Sequence, residues 1–128
     1  MILGLGIDVV EIARMQRILD GPPARATRFL ERCFTQAERA YCEGGRDRAA
    51  RYGARFAAKE AASKALGTPA GIRWTDVEVV RGGGAPALAL RGVAEEGARR
   101  LGVSRVLVSL THDGGVAAAA VVLEGGAP

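Results

Sequence analysis

Residues 103–123 read VSRVLVSLTHDGGVAAAAVVL, two apolar runs at 103–110 and 116–123 on either side of Thr111-His112-Asp113-Gly114-Gly115. Aliphatic runs of strand length around an Asp-Gly turn signal predict an antiparallel hairpin. Both runs are apolar at successive positions, so both faces of the hairpin are expected to be buried. A chain that closes on a hairpin, not on a strand reached through a crossover helix, points away from an alternating parallel sheet.

Working outward, residues 92–101 read as a helix weakened by two glycines, and residues 74–80 and 87–90 as a strand pair turned at Gly82-Gly83-Gly84. The opening residues 2–10, rich in Ile, Leu and Val, predict a buried strand that ends at an acid. Ile12, Met15, Ile18 and Leu19 then recur at helical spacing until Asp20-Gly21-Pro22-Pro23, read as a loop. Phe29, Leu30, Cys33 and Phe34 form a short apolar helical face. Thr35-Gln36-Ala37-Glu38 is a capping-box pattern that starts a helix running to about Cys42. Residues 46–66 read as one long helix stopped by Gly67. The order is strand, three helices, two strands, helix, two strands: an α+β fold with a mostly antiparallel sheet and helices packed on it.

The 128-residue chain suits a single domain over 1–128, long enough to bury roughly two-thirds of its unfolded surface. Its net charge of +4 favours an anionic partner, and the arginines are dispersed instead of forming the dense run of a nucleic-acid arm. Aromatic content of 5% leaves little to stack on bases, so no nucleic acid is expected. Cys33 and Cys42, with no histidine cluster beside them, fit neither a zinc site nor a disulfide framework and suit a reducing, cytoplasmic setting. Cys33 falls on an apolar face as a small core residue. The N-terminal apolar run carries Asp8 and Glu11 without a basic leader or a small-residue cleavage site, and no stretch approaches the ~20 apolar residues of a membrane span. A soluble protein with no membrane partner is expected.

Two carboxylates stand out. Asp8, inside the apolar GLGIDVV run, is costly to bury unless it caps a loop edge, is paired, or meets a cation. Glu60 and Lys64 share a face of the long helix, where an ordinary surface pair is worth only ~0.2–0.5 kcal/mol. Were Asp8 and Glu60 to meet, two carboxylates with open positions would suit Mg²⁺, which completes its shell with water and substrate phosphates. His112, the one histidine, reads as a polar turn residue or a catalytic group, and Arg14 and Arg17 as a solvated flank of the first helix. The charge alone also leaves open a non-catalytic basic module that binds RNA or an acidic protein, and a Mg²⁺-dependent phosphohydrolase.

Taken together, GIDVVEI at residues 6–12, FLERCFTQAE at 29–38, the FxxKExxxKxxG pattern from Phe56 to Gly67, WTDVEV at 74–79 and VSLTHDGGVAAAAVVLE at 108–124 resemble the holo-acyl-carrier-protein synthases, the small bacterial 4′-phosphopantetheinyl transferases. The likeness spans nearly the whole chain. It implies that family's fold and the transfer of phosphopantetheine from coenzyme A to a serine of acyl carrier protein, releasing adenosine 3′,5′-bisphosphate, with Mg²⁺. By resemblance, Asp8 and Glu60 hold the metal. Lys64 neutralises phosphate charge or helps to deprotonate the serine. Arg55 and His112 contact the nucleotide of coenzyme A, Gly67 and Thr68 approach a phosphate through their amides, and Arg14, with Arg17, docks the carrier. The family is typically trimeric with active sites between subunits, which would also cover the apolar last hairpin. Pro69, where relatives often have glycine, and Val116, where an aromatic is common, depart from the pattern without touching the metal ligands.

Overall fold

The computed structural model of the chain describes residues 1–126. It runs β1 (Ile2–Glu11), α1 (Ile12–Leu19), α2 (Pro23–Cys33), α3 (Gln36–Glu43), α4 (Arg48–Ala65), a 3₁₀ turn (Trp74–Asp76), β2 (Val77–Val80), β3 (Ala87–Leu90), α5 (Gly92–Leu101), β4 (Val103–Asp113) and β5 (Val116–Gly125). The α+β class is as expected, with an antiparallel sheet in the order β1-β5-β4 and a separate β2-β3 hairpin. Four helices, not three, precede that hairpin. Pro23, read as part of a loop, is the first residue of α2, where a missing amide hydrogen costs nothing and the fixed φ suits a helix start. The strand expected over residues 74–80 begins only at Val77, because Asp76 takes the Arg73 amide and tightens 74–76 into a 3₁₀ turn.

The closing hairpin is longer than expected. Asp113 pairs with Val116, so the two-residue turn is Gly114-Gly115, not Asp-Gly. Both glycines have positive φ, +58° and +81°, as a type I′ turn requires. Thr111 and His112 therefore belong to β4 instead of a turn.

The helix α4 lies directly on the sheet. Its buried face is almost all alanine (Ala57, Ala58, Ala61, Ala62, Ala65), matched by Ala117, Ala119, Val121 and Leu123 of β5. Small residues on both surfaces let backbones approach closely, and β1 takes this furthest: a methyl group on Gly4 would strike the Ala65 carbonyl, and one on Gly6 the Ala61 carbonyl. Asp8 is the next inward position on the strand. Thus Gly4-x-Gly6-x-Asp8 lets the helix settle on the strand and brings a carboxylate under it. A second core, built on Met15, Leu19, Leu30, Cys33, Phe34 and Tyr52, joins α1–α4.

The expectation that both faces of the last hairpin are buried is corrected. The helices cover one face only. On the other, Leu5 is 66% and Ile7 65% exposed, beside exposed Ile2, Val9, Leu107 and Val116.

Candidate active site

The packing of α4 on β1 carries Glu60 and Lys64 to Asp8. Lys64 Nζ donates to Asp8 Oδ1 at 2.8 Å and to the Ile7 carbonyl at 3.3 Å. Among the described residues, Asp8 Oδ2 is buried without a hydrogen-bond partner. Glu60 neighbours Asp8, and burial first, then the adjoining Asp8 carboxylate, raise its pKa to about 7, against the opposing pull of Lys64 and Arg14. Burial would also raise the Asp8 carboxyl, but the neighbouring Glu60 and the hydrogen bond and charge of the Lys64 ammonium outweigh it and hold Asp8 below the ordinary carboxylate value. Two neighbouring carboxylates, one of them with an orphaned buried oxygen, fit a hard divalent cation that keeps most of its waters. Among the described residues no third His, Cys, Asp or Glu joins them.

Two clefts stand out, and only the second is lined by a member of this pair, Glu60. One, about 500 Å³, is lined by Tyr41, Arg46, Arg51, Arg55, Arg81 and His112, with Asp47 as an acidic neighbour. None of its four arginines forms a salt bridge with a carboxylate among the described residues. Arg55 is 4% exposed, its guanidinium stacks 4.1 Å from the Tyr41 ring centroid, and its Nε has no partner. A buried guanidinium without a counter-ion is a strong recruiter of an anion. The second cleft, about 580 Å³, is more apolar and places Arg14 with Val9, Met15, Phe29, Phe56 and Glu60.

The structure thus brings together Asp8, Glu60 and Lys64, joins Arg55 to His112 in one cleft, and puts Arg14 in the other. Arg17 lies outside both clefts, exposed and paired with Glu11 at 3.5 Å. The expectation for Gly67 and Thr68 is corrected: their amides already donate, Gly67 to Lys64 at 3.0 Å and Thr68 to Ser63 at 2.7 Å, closing the end of α4. Those amides are not free to hold a phosphate.

Sequence reasoning missed Tyr41, Arg46, Arg51 and Arg81 of the arginine-lined cleft. Only Arg51, one helical turn before Arg55, had a signal in the spacing. It also missed Arg25, Arg28 and Arg32, which surround a shallow depression with Phe29 on α2. Their spacing of three and four was legible as one basic helical face.

Comparison with known proteins decides what this arrangement belongs to. Residues 4–120 match the model of the 4′-phosphopantetheinyl transferase superfamily. The chain belongs to that superfamily. As a phosphopantetheinyl transferase it is 71% identical, over 128 residues and the full length of both chains, to the holo-[acyl-carrier-protein] synthase of Anaeromyxobacter dehalogenans. It is 47% identical over 125 residues to that of Streptomyces coelicolor, covering 97% of this chain and 98% of the relative. Among solved structures, the Helicobacter pylori holo-[acyl-carrier-protein] synthase in complex with coenzyme A is similar with a TM-score of 0.78 at 30% identity, over 94% of this chain and 99% of that one. The Bacillus anthracis enzyme, in complex with CoA (3′,5′-ADP), matches with a TM-score of 0.78 at 35% identity, over 98% and 99%. Among the described residues of this transferase no helix is long and apolar enough to cross a membrane.

Proposed function

We propose that this transferase moves the 4′-phosphopantetheine group of coenzyme A to a serine hydroxyl of apo acyl carrier protein, releasing adenosine 3′,5′-bisphosphate, with Mg²⁺ held by Asp8 and Glu60. The reading extends to a single domain over residues 1–128, a cytoplasmic setting, a service to fatty acid biosynthesis and a homotrimer with active sites between subunits. One observation carries it: the buried Oδ2 of Asp8, unpartnered among the described residues, lies beside Glu60, which lines the apolar cleft, in a chain that also carries a cleft lined by four arginines.

The chemistry follows from the residue types. The serine oxygen forms a bond to the β-phosphorus as the bridging bond to the adenylate portion breaks, so negative charge grows on phosphate oxygens and on the leaving group. The cation, when bound, supplies Lewis-acid stabilisation of that charge. Lys64, 56% exposed and on a flexible tether, adds a positive charge to the same oxygens. Arg55, with Arg46, Arg51 and Arg81, holds the phosphates of the nucleotide end, while Tyr41 and His112 flank its base. The cleft of Val9, Met15, Phe29 and Phe56 receives the serine-bearing end of the carrier. Arg14 there, and Arg25, Arg28 and Arg32 on α2, face an acidic partner, with Arg17 at their edge.

The test is the intact mass of apo acyl carrier protein after incubation with the enzyme, coenzyme A and Mg²⁺. A gain of one phosphopantetheine that a chelator prevents is expected. Cleavage of coenzyme A without any gain on the carrier would replace the transferase reading with a hydrolase.

A further inference from the structure

The two oxygens of Asp8 are treated differently. Oδ1 carries the Lys64 ammonium at 2.8 Å, and Oδ2 is buried with no partner among the described residues. The two side chains also differ in freedom. Asp8 is fixed within the strand β1, under α4, and 12% exposed, whereas Lys64 projects from the last turn of α4 and is 56% exposed. Among the described residues its one other bond is a long one, 3.3 Å, to the Ile7 carbonyl. A cation coordinated by Asp8 and Glu60 would come within a few ångströms of an ammonium on the same carboxylate, where like charges repel and only the lysine can move.

Resting on the metal reading above, we propose that Lys64 and the divalent cation compete for Asp8, so that cation binding displaces the Lys64 ammonium and makes it available to the substrate pyrophosphate. Lys64 is then not a fixed counter-charge of the phosphate site. It balances Asp8 until the cation takes over, and only afterwards serves the substrate. Linkage makes the effect reciprocal: an anion that draws Lys64 off Asp8 raises cation affinity by the factor with which the cation raises anion affinity. Cation and pyrophosphate therefore bind cooperatively, through one side chain with two alternative partners.

The experiment measures Mn²⁺ binding, from the electron paramagnetic resonance of the free ion, to the full-length protein without coenzyme A. Mn²⁺ shares the oxygen-ligand preference of Mg²⁺. Lys64→Gln removes the competitor and is expected to tighten Mn²⁺ binding by about fivefold or more. Lys64→Arg keeps a cation able to reach Oδ1 and stays close to the wild type. Arg14→Gln controls for charge alone, since Arg14 acts on Glu60 through space and makes no bond to Asp8, and it changes binding by less than about twofold. Lys64→Gln binding no more tightly than Arg14→Gln would overturn the competition while leaving the metal site in place. Equal, weak binding by the wild type and Glu60→Gln would remove the metal reading itself, and the competition with it. Lys64 is exposed, so unchanged thermal melting of both lysine variants at saturating Mn²⁺ shows that the comparison is made on folded protein.

Discussion

At the scale of single residues, the decisive pair is Asp8 and Glu60, and it makes a pH-dependent prediction. The Glu60 carboxyl titrates near 7 in the folded protein, against an ordinary value of 4.5. The folded state therefore binds this proton more tightly than the unfolded state. Its contribution to stability is fully present below about 4.5 and is lost as pH rises through about 7. Thermal melting in chelator is expected to fall between pH 5.5 and 8, and Mg²⁺ is expected to restore it most strongly at pH 8, where both carboxylates are charged. Glu60→Gln should flatten that slope and lower turnover by at least about 100-fold, since removing a ligand costs more than removing a group that merely orients one. A slope that survives in Glu60→Gln would assign the titration elsewhere. Asp8 was legible in the sequence because a carboxylate inside an apolar strand has to be explained. Tyr41 and Arg81 were not, since nothing local marks residues that meet Arg55 only through the fold.

At the scale of elements, the FxxKExxxKxxG helix reads as amphipathic, yet its two lysines have opposite fates. Lys64 reaches the site, while Lys59 is wholly buried. Lys59 Nζ donates to Glu38 at 2.7 Å and to the carbonyls of Trp74 and Val77. Glu38 in turn accepts from the Thr35 amide at 2.9 Å and the Val79 amide at 2.8 Å. The capping box at Thr35 was legible because its partners lie three residues apart. The second role of Glu38 was hidden, because its other partners are supplied by α4 and β2. Lys59→Met leaves a buried carboxylate without its cation and is expected to cost about 3–5 kcal/mol, read as a lower denaturation midpoint with an unchanged slope. A loss below about 1 kcal/mol would mean that water reaches Glu38. Gly6→Ala tests the contact between α4 and β1. Its methyl group meets backbone, not a yielding side chain, so a loss of about 1–3 kcal/mol is expected. Because any shift of α4 moves Glu60 relative to Asp8, turnover should fall even at temperatures where the variant is fully folded.

At the scale of the whole molecule, two surfaces look outward for partners, and they are of opposite kinds. The basic one comprises Arg14 on α1 with Arg25, Arg28 and Arg32 on α2, on either side of the apolar cleft that contains Glu60. Arg14→Ala combined with Arg28→Ala should raise the KM for the carrier several-fold with kcat little changed, and added salt should shrink the difference. An effect on the coenzyme A KM alone would move these arginines to the other substrate. The apolar surface is the outer face of β1, with Leu107 of β4 and Val116 of β5. Successive apolar residues in the sequence predicted cover on both faces of the last hairpin; they could not say that the chain's own helices cover only one, because a run apolar on both faces reads the same whether its second cover comes from within or from another chain. Leu5, Ile7 and Val9 alternate along the strand with Gly6 and Asp8, so the surface that would be covered and the surface that presents the carboxylate are two sides of one backbone. Exposed apolar side chains gathered on one face of a strand mark a candidate interaction surface. Ile7→Glu puts a charge at its centre without touching α4. If copies of the chain associate through this face, light scattering should report a fall from trimer to monomer mass, and turnover should fall with it because β1 loses one of the two layers that hold Asp8 in place. A variant that becomes monomeric with full turnover would separate assembly from catalysis, and one that keeps its mass would place the association on a different surface.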